Sequence, residues 1–186
     1  MPPIFLIGYM ASGKTTLGRA LAERHGARFA DLDELIEQRA GMSVKEIFAA
    51  EGESGFRRRE RAMLEELAAK GRDDGGLTVI ACGGGTPCQP GNMELMNAAG
   101  VTVWLEASGE RLRNRLLEGR ATRPLIASLS DDELIEFAAR QLEARRPHYS
   151  AAAHRFDSSL LETPDEVAAT ALEFFNRFLS SPHRPS

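Results

Sequence analysis

Near its N-terminus the chain reads Gly8-Tyr-Met-Ala-Ser-Gly13-Lys14-Thr15, which matches the phosphate-binding pattern GxxxxGK(S/T) at every fixed position. Glycines in such a loop adopt backbone conformations that a side chain would block. The loop amides, with the N-terminus of the following helix, form a concave site for anions. The alternative is a Gly-rich turn without a ligand. The apolar run before the motif and the helical pattern after it favour a nucleotide site.

The residues of this phosphate loop have separate chemical tasks. The Lys14 ammonium reaches the terminal phosphates of a nucleotide, and the Thr15 hydroxyl ligates Mg²⁺. We therefore expect Mg²⁺ as the cofactor, bound together with a nucleotide. The loop residues expected to bind this nucleotide are Ala11, Ser12, Gly13, Lys14, Thr15 and Thr16.

Length and composition limit the class of protein. A chain of 186 residues is long enough for one domain with its own core and too short for two. Its net charge of -4 lacks the basic balance typical of nucleic-acid-binding proteins. Cys82 and Cys88 form no CxxC pair, which argues against a disulfide framework or a zinc site. No apolar run reaches the roughly 20 residues that span a bilayer. We expect a cytoplasmic protein that binds neither nucleic acid nor membrane.

Short apolar runs alternate with helical patterns along the chain. This alternation predicts an α/β domain in which helices cover both faces of a parallel sheet. Ligands of such sheets bind beyond the carboxyl ends of the strands. Strands are predicted at 4–7, 27–30, 77–82, 101–105 and 154–157. Helices are predicted at 14–24, 33–40, 43–50, 55–70, 108–118 and 131–146, and a last one begins at Thr163-Pro164.

Two segments lack these patterns. Residues 119–130 have no helical periodicity and carry Arg123, so we expect a mobile lid there. The polar, Pro-rich residues 181–186 predict a flexible tail. The domain itself is expected to occupy residues 1–180, with substrate-binding helices at about 33–61.

Two carboxylates follow the second predicted strand. Asp31 and Asp33 stand two residues apart, so their side chains can share one face. A kinase needs one carboxylate near its magnesium ion and another to accept the proton of the acceptor hydroxyl. The alternative is that Asp33 only caps the helix that begins at Glu34.

Two further patterns carry candidate substrate ligands. Arg57 and Glu60 stand three residues apart on a predicted helix, so Glu60 can orient the guanidinium group. A planar guanidinium suits a carboxylate substrate, although a solvated charged helix face is the alternative. Gly83-Gly-Gly85 follows a strand and offers unshielded N–H groups, or is only a flexible strand exit.

Together the motifs resemble the shikimate kinase family, from Ile4 to about Tyr149. In order they are GYMASGKT, DLD, IFAAEGESGFRRRE, GGG, RPL and RRPHY. The resemblance implies a P-loop NTPase of the nucleoside-monophosphate-kinase type, a three-layer α/β sandwich around a five-stranded parallel sheet. It also implies transfer of the γ-phosphoryl group of Mg-ATP to the 3-hydroxyl of shikimate, which gives ADP and shikimate 3-phosphate.

The resemblance also implies a role for each matching residue. Asp33 binds the acceptor hydroxyl and acts as the base, while Lys14 and the lid residue Arg123 contact the ATP phosphates. The metal-binding residues are Thr15 and, through water, Asp31. The substrate-binding residues are Asp33, Arg57, Gly83, Gly84, Gly85 and Arg145, with Glu60 behind Arg57. The choice of Arg145 over Arg146 rests on counting back from Pro147 and Tyr149.

Two other functions fit parts of the pattern. A related kinase for gluconate or a nucleotide would share the phosphate loop, and a regulatory domain of the same fold would bind ligands without catalysis. We expect a monomer whose partners are shikimate and ATP. The stretch Leu160-Leu-Glu162 stands where the family often has a polar or basic residue near the adenine, so that contact is unassigned.

Overall fold

The computed structural model describes residues 1–73, 76–120 and 126–180. Within them, five strands form one parallel sheet, as the sequence predicts. The strands are β1 (Ile4–Ile7), β2 (Arg28–Asp31), β3 (Thr78–Ala81), β4 (Val101–Glu106) and β5 (His154–Asp157). Their order in the sheet is β2-β3-β1-β4-β5. The helices are α1 (Lys14–His25), α2 (Leu32–Ala40), α3 (Val44–Asp73), α4 (Asn92–Ala99), α5 (Gly109–Glu118), α6 (Asp131–Tyr149) and α7 (Pro164–Phe178).

The central strand β1 shows why the domain has three layers. All four of its residues are buried. Because side chains alternate across a strand, Phe5 and Ile7 contact one apolar cluster and Ile4 and Leu6 contact another. The first cluster contains buried residues of α2 to α6, and the second contains those of α1 and α7. The run IFLI therefore reads as continuously apolar because both of its faces are covered.

Helix starts follow the local sequence. Thr163 caps α7 in a reciprocal pair with Glu166, and Pro164 occupies the first turn, as predicted from Thr163-Pro164. Ser130 and Glu133 form the same capping box at the start of α6. These side chains satisfy backbone N–H groups that have no partner inside the helix.

Four elements differ from the sequence-based prediction. The helices predicted at 43–50 and 55–70 form one run, α3, with non-helical backbone at Gly52 (φ 69°). A 3-10 turn (Thr86–Cys88) and α4 occupy a stretch for which no element was predicted. Helix α6 passes through Pro147 to Tyr149 instead of ending at 146, because the buried Tyr149 side chain holds its last turn against the sheet.

Candidate active site

The phosphate loop connects β1 to α1 and is held in place by its glycines. Gly8 has a φ of 144°, and a Cβ atom there would lie 2.6 Å from the Leu105 carbonyl oxygen. Gly13 has a φ of 91°, and a Cβ atom there would lie 2.3 Å from a methyl group of Leu161. Both the backbone angle and the space therefore exclude a side chain at these positions.

The Lys14 side chain folds back onto this loop. Its ammonium donates to the carbonyl oxygens of Gly8 at 2.9 Å and Tyr9 at 2.8 Å. Burial lowers the pKa of Lys14 to about 8, and the charge of Asp33 opposes that shift. The ammonium is thus kept at the centre of the loop, where a bound phosphate would be its strongest partner.

Thr15 and Asp31 form a pair of oxygen ligands beside Lys14. The Thr15 hydroxyl donates to Asp31 Oδ2 at 2.8 Å. The other oxygen, Asp31 Oδ1, accepts from the backbone N–H of Asp33 at 3.1 Å and caps α2. Helix capping therefore fixes the orientation of Asp31, and its Oδ2 faces the phosphate loop.

Asp33 lies in the first turn of α2, so the alternative that it caps this helix is wrong: Asp31 is the cap. Asp33 Oδ1 is buried and has no hydrogen-bond partner among the described residues. Burial, with repulsion from the Asp31 and Glu60 carboxylates, raises the pKa of Asp33 to about 6. A buried carboxylate oxygen without a donor is costly to the free protein, which is the behaviour expected of a group that binds a ligand hydroxyl.

Arg57 is oriented by two acidic residues of its own helix. Its Nη1 donates to Glu60 Oε2 at 2.8 Å, and its Nη2 donates to Glu53 at 3.3 Å. Glu60 is fully buried, and its second oxygen, Oε1, accepts from the Thr86 hydroxyl at 2.5 Å. The contact between Arg57 and Glu60 that the sequence predicts is therefore present. Thr86 donates to the second oxygen of Glu60. Arg59 instead pairs with Glu51 across the bend of α3.

The triple glycine lets these side chains approach the end of β3. A Cβ atom at Gly85 would lie 2.6 Å from Arg57 Nη2, and one at Gly84 would lie 3.3 Å from Arg145 Nη1. A Cβ atom at Gly83 would lie 3.1 Å from Asp33 Oδ1. Two guanidinium groups and one carboxylate therefore lie against three consecutive residues that have no side chains.

The structure separates the two adjacent arginines of α6. Arg145 lies at Gly84 and over the ring of Tyr9, with its Cζ atom 5.6 Å from the ring centroid. Arg146 points to Glu106, at 3.7 Å, and to Trp104. Only Arg145 therefore joins the other candidate ligands.

These groups form one site at the carboxyl edge of the sheet. It combines an anion-binding loop, two oxygen ligands suited to a hard cation, a buried carboxylate and two cations. This is the chemistry needed to move a phosphoryl group from a nucleotide to the hydroxyl group of a small carboxylated acceptor.

Comparison with known sequences agrees with this chemistry. The model of the family described as shikimate kinase matches residues 10–176. The chain belongs to the shikimate kinase family. It is therefore an ATP-dependent kinase, and its P-loop NTPase fold is the one predicted from the sequence.

Individual shikimate kinases are similar over nearly the whole chain. The enzyme of Phocaeicola vulgatus is 45% identical over 170 residues, which cover 91% of this chain and 94% of the relative. A crystal structure of the Bacteroides thetaiotaomicron shikimate kinase has a TM-score of 0.87 at 40% identity and covers 95% of this chain and 97% of its own. The Acinetobacter baumannii shikimate kinase in complex with shikimate has a TM-score of 0.80 at 31% identity and covers 99% and 96%.

The motifs of the kinase family did not reveal two side chains of this site, Thr86 and Tyr149. The Tyr149 hydroxyl donates to the Gly84 carbonyl oxygen at 2.7 Å, and it belongs to the RRPHY motif that served only to locate Arg145. Thr86 directly follows the triple glycine, and this position is the one feature of the sequence that points to a place for Thr86 in the site. Both hydroxyls act on residues far away in the sequence, so spacing along the chain does not show their partners.

Arg115 joins the phosphate loop to the segment that follows β5. Its guanidinium group donates to Glu162 at 2.9 Å, to the carbonyl oxygens of Ser158 at 3.0 Å and Ser159 at 2.9 Å, and to that of Ala11 at 3.4 Å. The unassigned stretch Leu160-Leu-Glu162 is thus bound to α5 and, through Leu161, packs on Gly13.

Arg123, the expected lid arginine, lies outside the described residues. The segments on either side of 121–125 are bonded to the domain: Arg120 donates to the Leu129 carbonyl oxygen at 3.1 Å and to Asp131 at 2.6 Å, and Ile126 is buried in the core.

None of the helices in the part of the chain that the structure describes is long and apolar enough to cross a membrane.

Proposed function

We propose that this kinase transfers the γ-phosphoryl group of ATP to the 3-hydroxyl of shikimate, with Asp33 as the residue that binds and deprotonates that hydroxyl. The observation that carries the proposal is the buried, unpartnered Oδ1 of Asp33 beside Gly83. The guanidinium group of Arg145 lies against Gly84, and that of Arg57 lies against Gly85. This arrangement offers an acceptor for one hydroxyl and two cations for one carboxylate.

The two arginines would fix the substrate by its carboxylate. A guanidinium group binds a carboxylate through two parallel N–H donors. Glu60 and Glu53 hold Arg57 from behind, which leaves less side-chain freedom to lose on binding. With its carboxylate fixed, shikimate would present one ring hydroxyl to Asp33, and positioning of this kind supplies most of the catalysis in phosphoryl transfer.

As the oxygen of the 3-hydroxyl attacks the γ-phosphorus, its proton would pass to Asp33. The bond between the γ-phosphorus and the β,γ-bridging oxygen would break, and ADP would leave. A base is most effective when its pKa lies near the working pH, and the pKa of Asp33 is raised to about 6. Lys14 would stabilise the charge on the transferring phosphoryl group. Arg123 is proposed to reach the same phosphates from the lid at 119–130.

We further propose Mg²⁺ as the cofactor, held by Thr15 and, through water, by Asp31. Their oxygens lie 2.8 Å apart and are hard donors, and Mg²⁺ commonly binds one or two carboxylates together with water and substrate phosphates. A site completed by ATP in this way needs no cluster of three acidic or histidine ligands, and none occurs among the described residues. When bound, Mg²⁺ neutralises charge on the β- and γ-phosphates.

We propose a cytoplasmic monomer whose partners are ATP and shikimate, with no role for nucleic acid or membranes. Sedimentation of the full chain across a range of concentrations tests the monomer: a single species of 20.3 kDa is expected.

The function is tested by an assay of ADP release with one acceptor at a time. Shikimate should give rapid release, whereas gluconate, a nucleoside monophosphate and no acceptor should give only the slow background. Shikimate 3-phosphate should accumulate in step with ADP. A related small-molecule kinase would instead respond to gluconate or the nucleotide, and a regulatory domain would bind shikimate without releasing ADP; either result would refute the proposal.

A further inference from the structure

Thr86 is the first residue after the triple glycine, and its side chain is fully buried. Its hydroxyl donates to Glu60 Oε1 at 2.5 Å. The backbone around it is fixed as well: its N–H donates to the Gly83 carbonyl oxygen at 3.1 Å, and its own carbonyl oxygen accepts from the side chain of Asn92 at 2.9 Å. The hydroxyl is therefore held at one place by a rigid turn.

Among the residues that the structure describes, each carboxylate oxygen of Glu60 accepts from one donor. Oε2 accepts from Arg57 and Oε1 accepts from Thr86, and the whole side chain is buried. A buried carboxylate with an unfilled oxygen is costly and free to turn toward other donors. The Thr86 hydroxyl thus fixes the plane of the carboxylate that in turn fixes the Arg57 guanidinium.

The alternative acceptor for the Thr86 hydroxyl is Asp33. A Cβ atom at Gly83 would lie 3.1 Å from Thr86 Oγ1, 3.1 Å from Asp33 Oδ1 and 3.3 Å from Glu60 Oε1, so the three oxygens surround one small space. The Thr86 proton points to Glu60, and Asp33 Oδ1 is left without a donor among the described residues. The hydroxyl therefore completes Glu60 while Asp33 stays available for a ligand.

We infer that Thr86 is a positioning residue for the acceptor, which acts through Glu60 on Arg57 and sets the affinity for the substrate carboxylate. This inference rests on the proposed function and adds a residue to its acceptor site. It assigns Thr86 to the acceptor half of the site alone, since Thr86 contacts neither the phosphate loop nor the Thr15–Asp31 pair through any hydrogen bond that the described residues form.

The test compares two variants that remove different parts of one side chain. Thr86→Val keeps the shape and removes the hydroxyl, whereas Thr86→Ser keeps the hydroxyl and removes a methyl group. We expect Thr86→Val to weaken shikimate binding by roughly tenfold, about 1.4 kcal/mol. Thr86→Ser should stay within about twofold of the wild type. The affinity for ADP, measured by the same calorimetric titration, should change by less than about twofold in both.

Thr102→Val is the matched control. Thr102 lies in β4, away from the acceptor site, and is equally buried. Its hydroxyl donates to Asn97 at 2.5 Å. This variant should lower the melting temperature without changing the ratio of the shikimate and ADP affinities. The double variant Arg57→Lys with Thr86→Val tests whether Thr86 acts through Glu60 on Arg57. Once Arg57→Lys has removed the guanidinium fork, adding Thr86→Val should cause little further loss of shikimate affinity.

Several results would overturn the inference. Equal or greater loss in Thr86→Ser than in Thr86→Val would indicate a packing role, as would parallel loss of ADP affinity. Full additivity with Arg57→Lys would exclude the route through Glu60. If Thr86→Val did not fold, Thr86→Ala would take its place in the comparison with Thr86→Ser. A wild-type chain that bound ADP but not shikimate would refute the proposed function as well, whereas unchanged affinities in the variants would refute only the role of Thr86.

Discussion

At the scale of the residue, the proposed function of Asp33 conflicts with the stability of the fold. Its Oδ1 is buried without a donor among the described residues, and the pKa of this carboxyl is raised to about 6. In the unfolded chain an aspartate has a pKa of about 3.9. Between these values the folded state binds more protons than the unfolded state, so this group makes the protein less stable as the pH rises from about 4 to 6.

Asp33→Asn should therefore be more stable and less active than the wild type. At pH 7.5, without metal or ligands, the free energy of unfolding should rise by up to about 3 kcal/mol, and kcat should fall by roughly 100-fold. Urea unfolding at pH 7.5 and pH 4 measures the first effect, with the low pH as an internal control, because the advantage of the variant should disappear there. Equal stability at both pH values would contradict the charge argument.

The residues that sequence could predict are those whose chemistry is local or tied to a motif. Lys14 and Thr15 follow from the phosphate loop, and Glu60 from its position three residues after Arg57. Thr86 could not be predicted, because its partner lies 26 residues away and a lone threonine after glycines has many uses. Asp31, and not Asp33, caps α2 because the helix begins at Leu32, slightly earlier than the sequence predicts, and helix ends are the least certain part of any sequence-based prediction.

At the scale of the element, α6 joins the acceptor site to the sheet through Tyr149. This residue lies one turn after Arg145, is fully buried, and donates its hydroxyl to the carbonyl oxygen of Gly84. The same helix therefore carries Arg145, the proposed substrate ligand, and a support for the glycine loop against which Arg145 lies. This contact also explains why α6 continues through Pro147 to Tyr149, although the sequence predicts that the helix ends at residue 146.

Removing the Tyr149 hydroxyl should loosen the glycine loop. We expect Tyr149→Phe to raise the KM for shikimate several-fold and to leave the KM for ATP within about twofold, with a loss of about 1 kcal/mol in the free energy of unfolding. Steady-state kinetics and urea unfolding measure these quantities. Tyr9→Phe is the control for stability, since the Tyr9 hydroxyl is buried but has no partner among the described residues, and its removal should not destabilise the fold. Parallel changes in both KM values for Tyr149→Phe would argue against a role confined to the acceptor side.

At the scale of the whole molecule, the site is assembled from segments that are distant in the chain. The five parallel strands bring the phosphate loop, the start of α2 and the triple glycine to one edge, and this convergence was predictable because it follows from the α/β pattern alone. The packing that holds the segments together was not. Arg115 of α5 bonds to the loop after β5 and to the phosphate loop, across 104 residues of sequence to Ala11.

Arg115 stands at the junction between α5, the loop after β5 and the phosphate loop. Its side chain is only 13% exposed, and its fork donates to the Ser158 and Ser159 carbonyl oxygens as well as to Glu162, so lysine cannot replace it. We expect Arg115→Lys to lower the free energy of unfolding by about 2 kcal/mol and to weaken ADP binding, because Ala11 and Gly13, which Arg115 and Leu161 contact, belong to the phosphate loop that is proposed to bind the nucleotide. The affinity for shikimate should stay within about twofold.

Arg19→Lys is the matched control for that variant, because the pair of Arg19 with Glu34 is exposed, with 57% and 47% of the side chains accessible, and such pairs contribute about 0–1 kcal/mol. Urea unfolding and titration with ADP and with shikimate should be run on both variants. Loss of shikimate affinity equal to the loss of ADP affinity in Arg115→Lys would mean that the junction supports the whole sheet edge. Loss confined to ADP would mean that the nucleotide and acceptor halves of the site are stabilised by separate contacts, Arg115 for one and the Glu60 and Tyr149 hydrogen bonds for the other.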